Sequence, residues 1–175
     1  MQNEYLILAT DVSYPETGGA KAAGLLFDGW TAHSEIAQQV VRLETVEPYV
    51  PGRFYERELP CLTALLDEVR PVPELIIIDG YVTLGSEQEP GLGMHLFQAL
   101  GGLVPIVGVA KTYFKGTPDQ VQVRRGQSRQ PLYVTAVGIS LQDAREGVSS
   151  MHGEFRLPTL LQRVDHLCRQ DSGHV

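Results

Sequence analysis

The stretch "ELIIIDG", Glu74–Gly80, decides how the rest of the chain is read. Its uninterrupted apolar run is too short for a helix and lacks the alternation of a half-solvated strand. Such a run, closed by Asp-Gly, suits a strand covered on both faces, as in a parallel sheet with helices on either side. "VPIVGVAK", Val104–Lys111, repeats the pattern further on. Between the two lie a Gly-rich loop, "SEQEPGLG", and a helix predicted from Met94 to Leu100. Two buried strands joined through a helix form a parallel crossover unit.

Toward the N-terminus the period changes. "EYLILATDVSY" predicts a first strand centred on Leu6–Ala9 and ending at Asp11. "GGAKAAGLLFDGW" predicts its hairpin partner, with Asp28-Gly29 as the next tight turn. A third antiparallel strand is expected around Ile36–Leu43. From Glu56, the stripe Leu59, Leu62, Leu65, Leu66 and Val69 predicts a helix stopped by Pro71 and Pro73. Beyond Lys111, "DQVQVRR" and "PLYVTAVG" read as a hairpin across "GQSRQ", and "SLQDAREGVSSM" and "LPTLLQRVDHLCRQ" as closing helices. The expected fold is α/β: a ribonuclease H-like mixed sheet, with antiparallel strands 1–3 joined to parallel strands 4–5, flanked by helices. One domain over residues 1–175 is expected, without repeat or linker.

Composition is that of a soluble globular chain, with 43% hydrophobic and 20% charged residues. No apolar run reaches the roughly 18 residues of a membrane span, so no membrane partner is expected. The N-terminus lacks the basic segment of a signal peptide, and Cys61 and Cys168 lie in helical patterns without metal spacing. Buried, reduced thiols and a cytoplasmic location are expected. A net charge of −7 argues mildly against nucleic acid, unless acids converge on a divalent ion that supplies the local positive charge.

Asp11 and Asp79 each follow an apolar strand. If those strands are parallel neighbours, the carboxylates stand side by side, an arrangement that a cation must neutralise. Oxygen-only ligation suits Mg²⁺ or Mn²⁺. The competing reading is that both acids cap turns. Glu58, in the first turn of its helix, is either a third acid or a partner of the helix dipole. Lys111 ends its strand as Asp79 does, facing a phosphate or simply solvent. Of five histidines none has ligand spacing; His95, beside the Gly loop, is most simply a packing residue. "RRGQSR", Arg124–Arg129, is the basic cluster, a solvated hairpin tip or a phosphate contact.

In order, "DVSY", "YVPGRFYERELP", "IIIDG", "GLG", "GVAK" and "PLYV" followed by "IS" resemble the endonuclease V family, from about Tyr5 to the last helix. The resemblance implies a ribonuclease H-like enzyme that cuts DNA or RNA near inosine with Mg²⁺ or Mn²⁺, working as a monomer. It implies that Asp11, Glu58 and Asp79 hold the metal and that Lys111 stands near the scissile phosphate. Tyr49, Val50, Pro51 and Gly52 would form the wedge that fills the gap left by a flipped base. Gly52, Gly80 and Gly93 would line the base pocket with backbone groups.

The chain also departs from the family. The His-Gly and His-Pro-Arg that usually follow the strand-ending Asp-Gly are replaced by "YVTLGSEQEP". The family's late "GH" before "IS", read as an active-site histidine, is "TAVGIS" here. Asp143 is a replacement carboxylate or, as "SLQD" suggests, part of a helix cap. The alternative function is therefore a nucleic-acid-binding relative that cleaves weakly or not at all.

Overall fold

A computed structural model describes residues 5–170. The first strand, β1 (Leu6–Ser13), pairs antiparallel with β2 (Ala20–Asp28), which pairs antiparallel with β3 (Ala37–Leu43). Helix α1 (Phe54–Glu68) leads to β4 (Leu75–Asp79), the "LIIID" run. The Gly-rich segment contains a two-residue hairpin, β5 (Thr83–Leu84) with β6 (Glu89–Pro90), before α2 (Leu92–Ala99). Then come β7 (Ile106–Ala110), β8 (Gln122–Val123), β9 (Leu132–Val137), α3 (Leu141–Ser150) and α4 (Thr159–Arg169).

The main sheet has the order β3-β2-β1-β4-β7-β9-β8, with β1, β4 and β7 parallel to one another. This is the expected ribonuclease H-like arrangement, extended by an antiparallel edge of β9 and β8. Every residue from Leu75 to Ile78 is at most 1% exposed, as the apolar run required, because helices cover both faces. One core packs α3 and α4 against Ile7, Ala9, Leu75, Ile77, Val107 and Val109. The other packs α1 and α2 against Leu8, Ile76 and Ile78. Strand alternation therefore assigns faces: odd-numbered residues of β1, β4 and β7 look toward α4.

Several boundaries differ from expectation. β1 runs past Asp11, because Thr10 to Ser13 keep pairing with β2 up to Ser13 opposite Lys21. α1 begins at Phe54 and α2 at Leu92, each earlier than the apolar stripe alone indicates. Most of "DQVQVRR" is a short 3₁₀ turn and loop, leaving β8 only two residues. Asp143 belongs to the cap: Ser140 is the N-cap of α3, and its hydroxyl accepts from the Asp143 N–H at 3.0 Å.

The glycine of "GVAK" has a steric reason. A Cβ on Gly108 would lie 2.5 Å from the Gly80 carbonyl oxygen and 3.0 Å from the Val82 nitrogen. The chain leaving β4 crosses directly over β7 at that point, and only a residue without a side chain leaves room.

Candidate active site

Continuing the β1–β4 register, which pairs Ile7 with Leu75 and Ala9 with Ile77, sets Asp11 opposite Asp79. Both are odd-numbered and point to the α4 face, as does Lys111 immediately after β7. Lys111 Nζ lies 3.7 Å from Asp79 Oδ2. It also lies 3.9 Å from Asp165 Oδ1, on the last helix. Asp165 is the site residue that sequence reasoning missed.

The Asp11 carboxyl faces that of Asp165, and its Oδ1 accepts from the Val12 N–H at 2.9 Å. Asp11, Asp165 and Cys168 each offer one ligand atom, all within 4.8 Å of one another. α4 is fixed in this position by its C-terminal carbonyls. The Ser13 hydroxyl donates to the carbonyl of Cys168, and the Lys21 ammonium to that of Gln170. A lysine there also complements the negative end of the helix dipole.

Glu58 approaches from the opposite helix layer. It is 5% exposed, and its Oε2 is buried without a hydrogen-bond partner among the described residues. Burial first, then the charges of Asp79 and Asp11, push its carboxyl up to about 8. Asp11 is pushed up to about 7 by burial, by Asp79 and by Asp165, against the pull of Lys111 and the Val12 N–H. Burial also raises Asp79, although Lys111 opposes it. Burial raises Asp165 as well, but the Arg169 hydrogen bond, Asp11 and Lys111 outweigh it and hold it below the usual carboxylate range.

Four carboxyl groups thus crowd one end of the sheet, with Lys111 and Arg169 paired to them and the Arg57 charge acting on Glu58. Raised carboxyls and an orphaned buried oxygen mark a charge imbalance that a divalent ion would offset. A cavity of about 20 Å³ borders Asp11, Asp79 and Lys111, about enough for one water or ion. The donor set is mainly oxygen, suited to a hard ion; burial pushes the Cys168 thiol up to about 12, leaving it protonated.

The sequence matches the endonuclease V family over residues 1–146. The chain belongs to the endonuclease V family. Endonuclease V of Azotobacter vinelandii is 35% identical over 73% of this chain, which spans 57% of that relative's length. The Streptomyces coelicolor enzyme is 31% identical over 93% of this chain and 77% of its own. In structure, Streptomyces avermitilis endonuclease V superposes with a TM-score of 0.73 at 28% identity, covering 97% of this chain and 85% of that one. A Ciona intestinalis endonuclease V, solved with a 23mer DNA containing an inosine followed by a ribo-adenosine, gives 0.79 at 16% identity, covering 97% and 86%.

Against the endonuclease V pattern, two expectations change. The stretch "TAVGIS" does not reach the carboxylates: Val137 pairs with Ile106, and Gly138 lies against Pro105, at the start of β7. Lys111 follows the other end of that strand, roughly 17 Å from Ile106 at 3.3 Å per residue. A missing histidine there takes nothing from this site, and Asp165, beyond the matched stretch, completes it instead. Gly93 does not line an open pocket either. Its N–H donates to the Tyr81 carbonyl at 3.1 Å, and a Cβ would meet Val82 at 2.6 Å, so it is a packing glycine.

The other expected contact residues lie open. Tyr49 is 58% exposed and Val50 42%, with the Tyr49 ring edge-on to Phe54 at 6.3 Å. The Arg53 N–H donates to the Val50 carbonyl at 2.9 Å, closing a turn with Pro51 and then Gly52 at φ +81°. That is type II geometry, which holds the apolar tip outward. Gly80, at φ +136°, has open space where a Cβ would stand. His95 is stacked on Tyr55 with centroids 3.7 Å apart, a packing contact between α1 and α2.

Proposed function

We propose that this chain is a Mg²⁺- or Mn²⁺-dependent endonuclease that hydrolyses a phosphodiester beside a deaminated, inosine-type base in DNA or RNA. The observation that carries this reading is the pairing of Asp79 and Asp165 with Lys111, with Asp11 beside Asp165 and the buried, orphaned Glu58 carboxyl within reach of the charges of Asp79 and Asp11. Family membership and the Ciona relative's inosine-containing DNA supply the substrate class. The reading treats the chain as a single domain acting as a monomer.

Asp11, Asp79, Glu58 and Asp165 are the residues that would hold the ion. When bound, it activates water and offsets the charge that develops on the leaving oxygen. The chain's own parts do the rest. Lys111, held between Asp79 and Asp165, presents an ammonium to a phosphate oxygen and draws the phosphodiester to the carboxylate end of the sheet. Arg156 fixes that lysine's backbone: its guanidinium donates to the carbonyls of Lys111 and of Pro131. The Tyr49–Gly52 tip enters the stack where the base has left, and burying its exposed rings offsets unstacking that costs a few kcal/mol. The Gly80 Cα gives a flat base close access to the backbone.

The test is cleavage of inosine-containing DNA and RNA, single- and double-stranded, with Mg²⁺ or Mn²⁺, beside an Asp79→Ala control. Scission next to inosine that is lost in the control supports the reading. Binding without scission under every condition would leave a nucleic-acid-binding relative.

A further inference from the structure

Across the end of the sheet that carries the carboxylates, the strand order continues from β4 and β7 to β9 and β8. Just beyond Lys111 the chain runs "TYFKG", with Tyr113 56% and Phe114 43% exposed. Neither ring is loose. Tyr113 stands edge-on to Tyr133 at 5.9 Å, Phe114 lies 6.1 Å from Tyr81, and Tyr81 lies 6.4 Å from Tyr133. The loop beneath them is pinned. Tyr81 Oη donates to the Thr112 carbonyl at 2.6 Å, the Gly116 N–H donates to Tyr113 Oη at 3.2 Å, and the Thr117 N–H to the Phe114 carbonyl at 3.0 Å. Two rings are thus held part-way out of an aromatic cluster, where hydrophobic burial alone would have drawn them in.

Cations flank the rings in an acidic chain, although the Ser86–Glu89 stretch that packs against Gly116 brings the acids Glu87 and Glu89 to their other side. Lys111 precedes the rings and the exposed Lys115 follows them. Tyr133, which supports Tyr113, is paired with Gln122 of β8, and the next residue but one is Arg124. The hairpin tip bearing Arg124 and Arg129 therefore extends from the same end of the sheet, its shape held by Arg124 donating to the Arg129 carbonyl at 2.6 Å. Two strand spacings, about 10 Å, separate the strand of Asp79 from that of Tyr133, whose ring, opposite Ala110, lies on the other face of the sheet, so a bound strand would pass over the sheet end from one to the other. Aromatic faces interleaved with cations at this separation match a single strand whose bases stack while its phosphates track a basic groove.

We infer that Tyr113 and Phe114 form a stacking platform for an unpaired nucleobase of the substrate strand, next to the hydrolysed phosphodiester, with Lys115, Arg124 and Arg129 meeting the flanking phosphates. The inference rests on the nuclease reading for the identity of the strand. It assigns the basic hairpin tip a role and makes the substrate locally single-stranded on this side of the cut.

The test uses the full chain in Ca²⁺ and a fluorescein-labelled single-stranded oligodeoxynucleotide carrying one deoxyinosine. An abasic linker replaces one base at a time on either side of the inosine, and affinity is read by anisotropy. At one position beside the cleaved bond, the linker lowers wild-type affinity by about tenfold or more. The Tyr113→Ala/Phe114→Ala variant shows that loss with the intact strand and is indifferent to the linker there, while Tyr113→Trp and Phe114→Trp bind at least as well as wild type. Three results overturn the platform: wild-type affinity in the double alanine variant, an abasic penalty that persists in it, or weakened binding by the tryptophan variants. A change in sedimentation without change in affinity also overturns it, making the rings a contact between copies. Repeating the series with adenine in place of inosine separates the two readings. Failure to distinguish the bases sinks the inosine assignment, while an unchanged abasic penalty leaves the platform standing.

Discussion

Asp11, in the first strand, and Asp165, in the fourth helix, bring carboxyl oxygens within 4.8 Å of each other. Two acids this close repel when both are charged, and the first prediction concerns the proton that relieves the repulsion. Asp11 and Glu58 have folded values of about 7 and about 8, raised by burial from unfolded values of 3.8 and 4.5. For groups raised in this way, the native state binds more protons than the unfolded state between those limits. Their favourable contribution is complete below about pH 4 and is lost as pH rises through 7 and 8. In EDTA, the melting temperature is expected to fall from pH 5 to pH 8. Mg²⁺ or Mn²⁺ should restore it, more at pH 8 than at pH 5. Circular dichroism melts with and without metal measure this directly, and a flat profile in EDTA would contradict it.

Glu58→Gln separates stability from function. The amide keeps the shape and removes a buried charge that has no partner on Oε2. At pH 8 in EDTA the variant should melt a few degrees higher, given roughly 2–4 °C per kcal/mol for a chain of this size. Cleavage should fall by at least about a hundredfold, the scale of losing one electrostatic contact at a reacting centre.

Asp165→Asn tests the residue that the sequence concealed. It keeps an acceptor for Arg169 and removes one carboxylate from the group around Lys111. The expected outcome is a folded protein whose thermal shift with Mn²⁺ is much reduced and whose cleavage drops at least about tenfold. A variant with wild-type metal response would remove Asp165 from the site.

Gly108→Ala places a methyl group 2.5 Å from the Gly80 carbonyl oxygen, against backbone that cannot swing aside. Overpacking of this kind costs about 1–3 kcal/mol. Because the displaced segment follows Asp79, activity should fall further than a matched loss of stability elsewhere produces. Denaturant unfolding and steady-state rates on the same preparation check both parts.

Tyr49→Ala should do the reverse. The ring is 58% exposed, so the melting temperature should barely move. Cleavage of double-stranded inosine substrates should fall more than that of single-stranded ones, since only the duplex needs a wedge.

Most of this architecture was legible because buried parallel strands leave plain traces. "LIII" and "PIVGVA" admit few other readings, and Asp79 and Lys111 follow them directly. Asp11 was found as a strand-ending acid although its strand continues; what places it is parity, with Ile7, Ala9 and Asp11 on one face. Asp165 was overlooked because a helix bearing several charges reads as an ordinary amphipathic one. A signal was present: Leu161, Val164 and Cys168 are buried at helical spacing, and Asp165 falls on that same face. An acid on an apolar stripe rarely serves packing. Gly93 misled for the opposite reason, since a glycine that opens a pocket and one that admits a neighbour leave the same letter. The late histidine misled because alignment conveys order along the chain and nothing about which end of a strand a residue occupies.

The docking of α4 onto β1 has a temporal side. A ribosome releases the N-terminal strand, the wedge, Asp79 and Lys111 well before the helix that carries Asp165, and domains settle roughly in the order they emerge. Until the Ser13 hydroxyl and the Lys21 ammonium find the carbonyls at the end of that helix, the growing chain holds Asp11, Asp79 and Lys111 without Asp165. On the proposed function, a chain whose α4 has not yet docked lacks Asp165 and holds its chemistry back.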